Sequence, residues 1–546
     1  MDIIYGKGAS GGIAAGVLRI VRRSRHVRET CTDVDAELAG LRAAFENAED
    51  ELSRLYREAV VRVGKREAEI FEIHKMMLED EELHSVAESL IKNEHSSAEN
   101  AVCRAGEHIA ESLENAEDDY MKARAADVRA VCERVAELLC GNDDGGSSSS
   151  LTEPSVLAAA DLTPAETVML DRKKVLGFVT EVGSIDSHTA ILARTMGIPA
   201  IVSVGVLPDS YDGCPVVLDG NEGVLYVEPD EGTEDRLTAA MHEEESERKR
   251  LEHFRGKTCI LSDGTRVTVS ANVGGLSDIE EAIRCDAEGI GLFRSELLFM
   301  GRTSPPTEEE QFEIYKRAAQ MTNGHECVIR TLDVGADKQI DYLSGDRTEK
   351  NPALGLRAIR LCHVQPELLR TQLRALYRAA SFGELSVMLP LVVLPEEVHE
   401  ARTIAKEVQD SLNAEHVPFG RVKLGVMIET PSAAILSDRL APLSDFFSIG
   451  TNDLIQYTMA ADREDPNVAY LTATLPESVR RLICTVCDSA KRAGIPVGVC
   501  GELAADTTET AFLIRAGVTK LSVTPPSILR VRESVMREAH RDTVTT

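Results

Sequence analysis

All 20 prolines of this 546-residue chain fall at or beyond Pro154. Proline breaks helix interiors, because it lacks an N–H and its ring collides with the preceding turn. The proline-free part therefore has room for long helices, and residues 32–139 carry the pattern to form them. Leu38, Leu41, Phe45 and Leu52 make one apolar stripe at helical spacing, and Val128, Val131, Val135 and Leu138 make another. The spacing predicts several amphipathic helices packed as a bundle. The stretch ends in Gly141-Asn142-Asp143-Asp144-Gly145-Gly146 and four serines, Ser147 to Ser150, a flexible connector by composition.

Past the connector the rhythm changes. Short apolar segments at 156–159, 175–179, 200–202 and 215–218 lie between Gly, Pro and Asp, which predicts strands alternating with short helices. Residues 3–5 and 17–21 also look like strands. If they complete this α/β unit, the helical bundle is an insertion into it. The charged stretch from Glu228 to Lys257 reads as a solvated linker helix. Beyond it, eight apolar segments alternate with helical text, at 267–272, 289–293, 327–331, 385–389, 423–428, 446–449, 496–499 and 520–523. That count predicts a C-terminal (β/α)8 barrel. The expected domains are 1–22 with 141–228 (α/β), 23–140 (all-α), 229–257 (linker) and 258–546 (barrel), a division a chain of this length needs.

Acidic residues number 91 and basic residues 60, a net charge of −31. Nucleic acid or an anionic membrane would repel such a chain, whereas a basic protein partner suits it. No secretory signal is visible in Met1–Gly6, and no apolar run nears the roughly 20 residues of a membrane span. The 12 scattered cysteines fit reduced thiols, so a cytoplasmic protein is expected.

In barrels the reacting groups project from the C-terminal strand ends. Here those ends carry Arg294 and Glu296, then Arg330 and Asp333 with Lys338 following, then Glu429, then Asn452 and Asp453 with Arg463 following, then Cys500. Charges in apolar strands are costly unless paired or liganded. One such residue is as well explained by a barrel ion pair, but several at matching ends point to a site. The arginines suit phosphate and carboxylate. Glu429 and Asp453 are hard oxygen donors suited to Mg²⁺, and Cys500 is either a neutral group able to move a proton or a packed strand-end thiol. A second candidate is His188, where Gly183-Ser184-Ile185-Asp186-Ser187 leads into an Ala/Ile/Leu run. A helix N-terminus there would hold a phosphoryl group, and a neutral imidazole is a competent nucleophile, although a lone histidine is more often a capping or packing residue.

Three motifs read as decoys. Gly6-Lys7-Gly8-Ala9-Ser10-Gly11 lacks a following βαβ unit, Cys484 and Cys487 lack a second pair, and Glu79-Asp80-Glu81-Glu82 suits a solvated helix end.

Together the motifs resemble enzyme I of the bacterial phosphoenolpyruvate:sugar phosphotransferase system, the phosphoenolpyruvate–protein phosphotransferase family. The matching text includes Ala160-Asp161-Leu162-Thr163-Pro164, Ser187-His188-Thr189, Gly291-Leu292-Phe293-Arg294-Ser295-Glu296, Ile329-Arg330-Thr331-Leu332-Asp333, Asn351-Pro352-Ala353-Leu354-Gly355-Leu356-Arg357-Ala358, Gly425-Val426-Met427-Ile428-Glu429-Thr430-Pro431 and Gly450-Thr451-Asn452-Asp453. The resemblance covers essentially the whole chain.

It implies that His188 takes the phosphoryl group of phosphoenolpyruvate and passes it to a histidine of the carrier protein HPr. It further implies that Arg294, Arg330, Asn452, Asp453 and Arg463 bind phosphoenolpyruvate, that Glu429 and Asp453 hold Mg²⁺, and that Cys500 protonates the enolate. Thr163, Lys338 and Arg357 stand as supporting residues. The α/β unit would be a phosphohistidine swivel domain. The helical insert would dock HPr through an apolar Met/Leu patch beside acidic residues at 71–83, and the barrel would form a homodimer. One departure is local. The family usually has two glycines and Arg-Thr just before Ser-His, where this chain has Gly183-Ser184-Ile185-Asp186. The alternatives are a phosphoenolpyruvate synthase or pyruvate phosphate dikinase, which need a large ATP-binding domain, and a regulatory relative without catalysis.

Overall fold

The computed structural model describes residues 1–22, 29–62, 65–114, 119–140, 153–163, 166–167, 170–171, 173–185, 187–300, 302, 304–335, 342, 351–462, 465, 467–472 and 474–544. The chain forms two compact units, Met1–Glu247 and Arg248–Thr546.

The first unit is built on a mixed sheet. Its strands are β1 (Asp2–Tyr5), β2 (Lys7–Ser10), β3 (Ile13–Val21), β4 (Ser155–Ala159), β5 (Val175–Thr180), β6 (Ala200–Val202), β7 (Pro215–Asp219) and β8 (Val224–Val227), in the order β1-β8-β7-β3-β4-β5-β6-β2. Strands β3 and β4 are parallel neighbours, paired from Val17↔Ser155 to Val21↔Ala159. Parallel neighbours need a crossover, and here it contains the helices Val34–Arg62, Lys65–Leu78, Glu81–Glu94, Ala98–Glu114 and Asp119–Leu139. Side chains alternate across the sheet as the period of two requires. Leu157 and Ala159 point into a core shared with Leu41, Phe45, Phe71 and Val135 of the helices, while Val156 and Ala158 face Leu18, Leu218 and Leu225. Burying Leu, Val and Phe on the Leu157 face at about 1.5–3 kcal/mol each holds the insert to the sheet.

The second unit is a closed barrel. A short strand β9 (Cys259–Ile260) pairs antiparallel with β10 (Arg266–Val273). Strands β11 (Ile290–Arg294), β12 (Cys327–Arg330), β13 (Leu385–Leu389), β14 (Lys423–Ile428), β15 (Phe447–Ile449), β16 (Val497–Val499) and β17 (Lys520–Val523) follow in parallel, and β10 pairs with both β11 and β17. All eight barrel strands coincide with the segments read from sequence. Leu292, Val328, Met388, Met427, Phe446 and Cys500 fill the interior. The alternate residues, such as Ile329, Val387, Phe447 and Val499, pack outward against the helices. Opposite the mouth, Glu326 pairs with Lys520 and Lys423.

In the helix Glu231–Glu252 only Leu237 is buried. No helix among the described residues is long and apolar enough to cross a membrane. Residues Lys7–Ser10 form an edge strand against β6 rather than a nucleotide loop. Cys484 and Cys487 are free thiols in the helix Glu477–Ala493. Asp80 caps the helix Glu81–Glu94, its carboxylate accepting the Glu82 N–H at 2.7 Å.

Candidate functional site

The barrel mouth is assembled from strand ends that the register brings level, with Arg294 of β11 opposite Arg330 of β12. The buried Arg330 guanidinium donates to Glu296 and lies 2.8 Å from Asp333 Oδ2. Asp333 also accepts from Arg357 at 3.0 Å, so one carboxylate bridges two arginines. Burial works against the Arg330 charge, but Asp333, Glu296 and Glu429 outweigh it and hold the group cationic. Removing one partner of such a buried pair strands the other charge at about 3–5 kcal/mol.

Glu429, at the end of β14, is buried and accepts the backbone N–H of Leu391. Burial, Asp333 and Asp453 together push its carboxyl up to about 8. Three carboxylates in one low-dielectric mouth repel one another, and a divalent cation relieves that repulsion. Among the described residues no group of three or more His, Cys, Asp or Glu forms a metal-binding cluster. The residues present fit Mg²⁺, which is commonly held by one or two carboxylates with substrate and water oxygens completing the shell.

Cys500 follows β16, with its Sγ 3.7 Å from the Ile449 carbonyl. Burial pushes the thiol up to about 11, opposed by a hydrogen bond with Ser448, so it is a protonated donor at neutral pH. Arg294 and Arg330 are close enough to act on it electrostatically. Asn452 is fixed by exchange with Glu502. Its Nδ2 donates to Glu502 Oε1 at 2.9 Å, and its Oδ1 accepts the Glu502 N–H at 2.9 Å. Gly501 permits this closeness, since a Cβ there would collide with Thr451. Arg330 Nε, Thr331 Oγ1 and Thr451 Oγ1 are buried without hydrogen-bond partners. Unpaired buried polar atoms are costly and rare, and their presence at one barrel end marks a place for a polar ligand.

In the first unit, His188 is the first residue of the helix His188–Met196. Ser187 caps that helix by accepting the Ala190 N–H at 3.2 Å. Gly183 turns the chain at φ +116, a conformation L side chains resist. The Ser203 hydroxyl donates to the Gly183 carbonyl at 2.6 Å and pins the turn. The helix lies against Lys65–Leu78 of the insert. The Thr163 hydroxyl donates to Glu166 at 2.9 Å in a local capping pair. The His188 side chain, Asp186, Lys338 and Arg463 lie outside the described residues, as does the 141–150 connector.

The structure narrows one expectation. In the segment 71–83, Phe71, Leu78 and Leu83 are core residues, because the helix turns that stripe inward. The outward face keeps Met76 with Glu72, Glu79 and Asp80. Residues that sequence reasoning passed over include Leu391, whose N–H holds Glu429, and Asn272, whose Nδ2 donates to the Cys500 carbonyl at 3.0 Å. A backbone donor leaves no sequence signal. An asparagine inside an apolar strand does leave one, because it demands a partner.

The chain matches three family models. They are the N-terminal domain of phosphoenolpyruvate-utilising enzymes over residues 5–124, their mobile domain over 151–223 and their phosphoenolpyruvate-binding domain over 248–540. It is 39% identical over 551 aligned residues to the phosphoenolpyruvate-protein phosphotransferase of Priestia megaterium, covering 99% of this chain and 96% of that protein. The chain belongs to the phosphoenolpyruvate–protein phosphotransferases. The Geobacillus stearothermophilus phosphotransferase is 39% identical, over 99% of this chain and 94% of its own. That of Staphylococcus aureus is 38% identical, over 98% and 94%. As a phosphotransferase of this family, the protein moves the phosphoryl group of phosphoenolpyruvate onto protein. The phosphoenolpyruvate-binding match spans the barrel, and the mobile-domain match includes the helix that His188 begins.

Proposed function

We propose that His188 receives the phosphoryl group from phosphoenolpyruvate held in the barrel mouth and hands it to a histidine of HPr. The observation that carries this reading is the buried arginine–carboxylate array beside a protonated thiol. Arg294, Arg330, Asn452, Asp453 and Arg463 bind the substrate's phosphate and carboxylate, with Arg357 and Lys338 in support. Phosphoryl transfer depends on in-line positioning and charge neutralisation, which fixed guanidinium groups supply without reorganising. Mg²⁺ on Glu429 and Asp453 would add positive charge at the phosphoryl oxygens. Cys500 gives its proton to the carbon of the departing enolate, yielding pyruvate. The Ser187-capped helix offers backbone N–H groups to the phosphoryl group on His188, with Thr163 in support.

The residues 1–22 and 141–228 act as the swivel domain, 23–140 as the HPr-docking domain, 229–257 as a linker and 258–546 as the substrate-binding and dimerising domain. The outward Met76 with its acidic neighbours suits a carrier with basic residues around its histidine. Exposed Leu297, Leu354, Ile435 and Tyr470 each follow a barrel strand, and such apolar surface around the mouth favours a homodimer. Incubation with ³²P-phosphoenolpyruvate and Mg²⁺ should label the protein in an acid-labile, base-stable form that purified HPr drains. Label retained on the enzyme in the presence of HPr would remove the carrier from this scheme.

A further inference from the structure

A chain of wholly buried polar side chains lies behind Arg330 and is not part of the substrate contacts described above. Gln372 of the helix Pro366–Ala379 is 1% exposed. Its Oε1 accepts the Leu332 N–H at 3.0 Å. A backbone N–H can only donate, so this contact fixes which way the amide faces. Its Nε2 then donates to Ser295 Oγ at 3.0 Å and to Tyr315 Oη at 2.9 Å. Ser295 in turn donates to the Arg330 carbonyl at 2.6 Å, and Tyr315 donates to Gln311 Oε1 at 3.2 Å. Gln311 Nε2 ends the chain on the Pro306 carbonyl at 3.0 Å. Burial raises the Tyr315 phenol, so its proton is always present to donate.

Every hydrogen in this network therefore has one direction, and the direction starts from Gln372. The amide grips the Arg330 strand on both sides, through Ser295 at residue 330 and directly at residue 332. The next residue, Asp333, is the carboxylate that clamps Arg330 and Arg357. A buried network with every member satisfied rigidifies what it touches.

We infer that Gln372 is a positioning residue for phosphoenolpyruvate binding, holding Arg330 and Asp333 in register through Ser295 and the Leu332 amide. The inference rests on the proposed role of Arg330 in substrate binding. It makes a sharp statement about a nearly isosteric change. In Gln372→Glu the carboxylate has no hydrogen to give, so Ser295 turns its proton towards it and the Arg330 carbonyl loses its donor. Gln372→Met removes the grip without adding charge.

The test is single-turnover phosphorylation of the full-length protein as a function of phosphoenolpyruvate concentration. Gln372→Met, Gln372→Glu and Ser295→Ala are compared with Gln409→Met as a matched control. Gln409 also donates to a tyrosine, Tyr377 Oη at 2.8 Å, but serves no strand end. The Gln372 variants should raise the half-saturating concentration about tenfold, the effect of losing one well-made buried hydrogen bond, with the limiting rate falling less than threefold. Ser295→Ala should move the same way, and combining it with Gln372→Met should add little. Half-saturation within twofold of wild type, or an equal rise in Gln409→Met, overturns the positioning role. Arg330→Met separates the two readings. If that variant uses phosphoenolpyruvate normally, the Arg330 assignment fails first. If it does not, and the Gln372 variants bind normally, only the role of Gln372 fails.

Discussion

In the unit Arg248–Thr546 the candidate groups Glu296, Arg330, Asp333, Arg357, Glu429 and Cys500 are buried, and the first four hold one another in a continuous chain. In the unit Met1–Glu247 the turn before His188 is at the surface, with Val182, Ile185 and Ile191 exposed around it. The physical demands differ. A small dianionic substrate needs charges fixed in advance, because reorganising them would consume binding energy. A histidine with two successive partners needs access and a surface that either partner can cover. On the proposed roles, rigidity sits where the ligand would bind, and exposure sits where the group would be passed on.

Four changes would break or sharpen that contrast. The largest effect is expected for His188→Ala, which should abolish stable labelling by phosphoenolpyruvate while calorimetry finds substrate affinity within about twofold of wild type. Loss of affinity in that variant would tie the two sites together. Next, Arg330→Met should lower phosphorylation about 1,000-fold or more, because it removes a group proposed to act on the transferring phosphate. It should also destabilise the barrel by about 3–5 kcal/mol in urea unfolding, since Glu296 and Asp333 lose a buried partner. Cys500→Ala should slow pyruvate formation about 100-fold, a typical cost of losing a placed proton donor. Stopped-flow detection of pyruvate checks this, and an unchanged rate would leave Cys500 as packing.

The smallest effect is expected at the closed end of the barrel. Burial works to raise the Glu326 carboxyl, but Lys520, Ser386 and Lys423 outweigh it and hold it at about 2. The folded value lies below the ordinary 4.5. Glu326 therefore contributes stability that is complete above about pH 4.5 and fades as pH falls towards 2, worth about 3 kcal/mol by linkage. Urea unfolding of wild type and Glu326→Gln should differ by a constant amount above pH 4.5 and converge below it.

The barrel was fully legible from sequence because its strands are apolar runs bounded by turns, and buried parallel strands need little else. The strand-end charges were legible for the same reason, standing out against apolar text. The discontinuous sheet was legible only as a possibility, because nothing local tells residues 17–21 that their partner is 155–159. The docking stripe at 71–83 misled because helical spacing alone does not say which apolar residues face the core, and Phe71, Leu78 and Leu83 do. The network around Gln372 was invisible, since its members lie far apart in sequence and each is unremarkable where it stands.

The most direct measurement is to locate the phosphoryl group. Full-length protein is incubated briefly with phosphoenolpyruvate and Mg²⁺, digested at alkaline pH and mapped by tandem mass spectrometry under conditions that spare phosphohistidine. A single modified site at His188 is predicted. A phosphoryl group on any other of the 13 histidines, or on none, would contradict the division of labour between the buried barrel mouth and the exposed histidine turn.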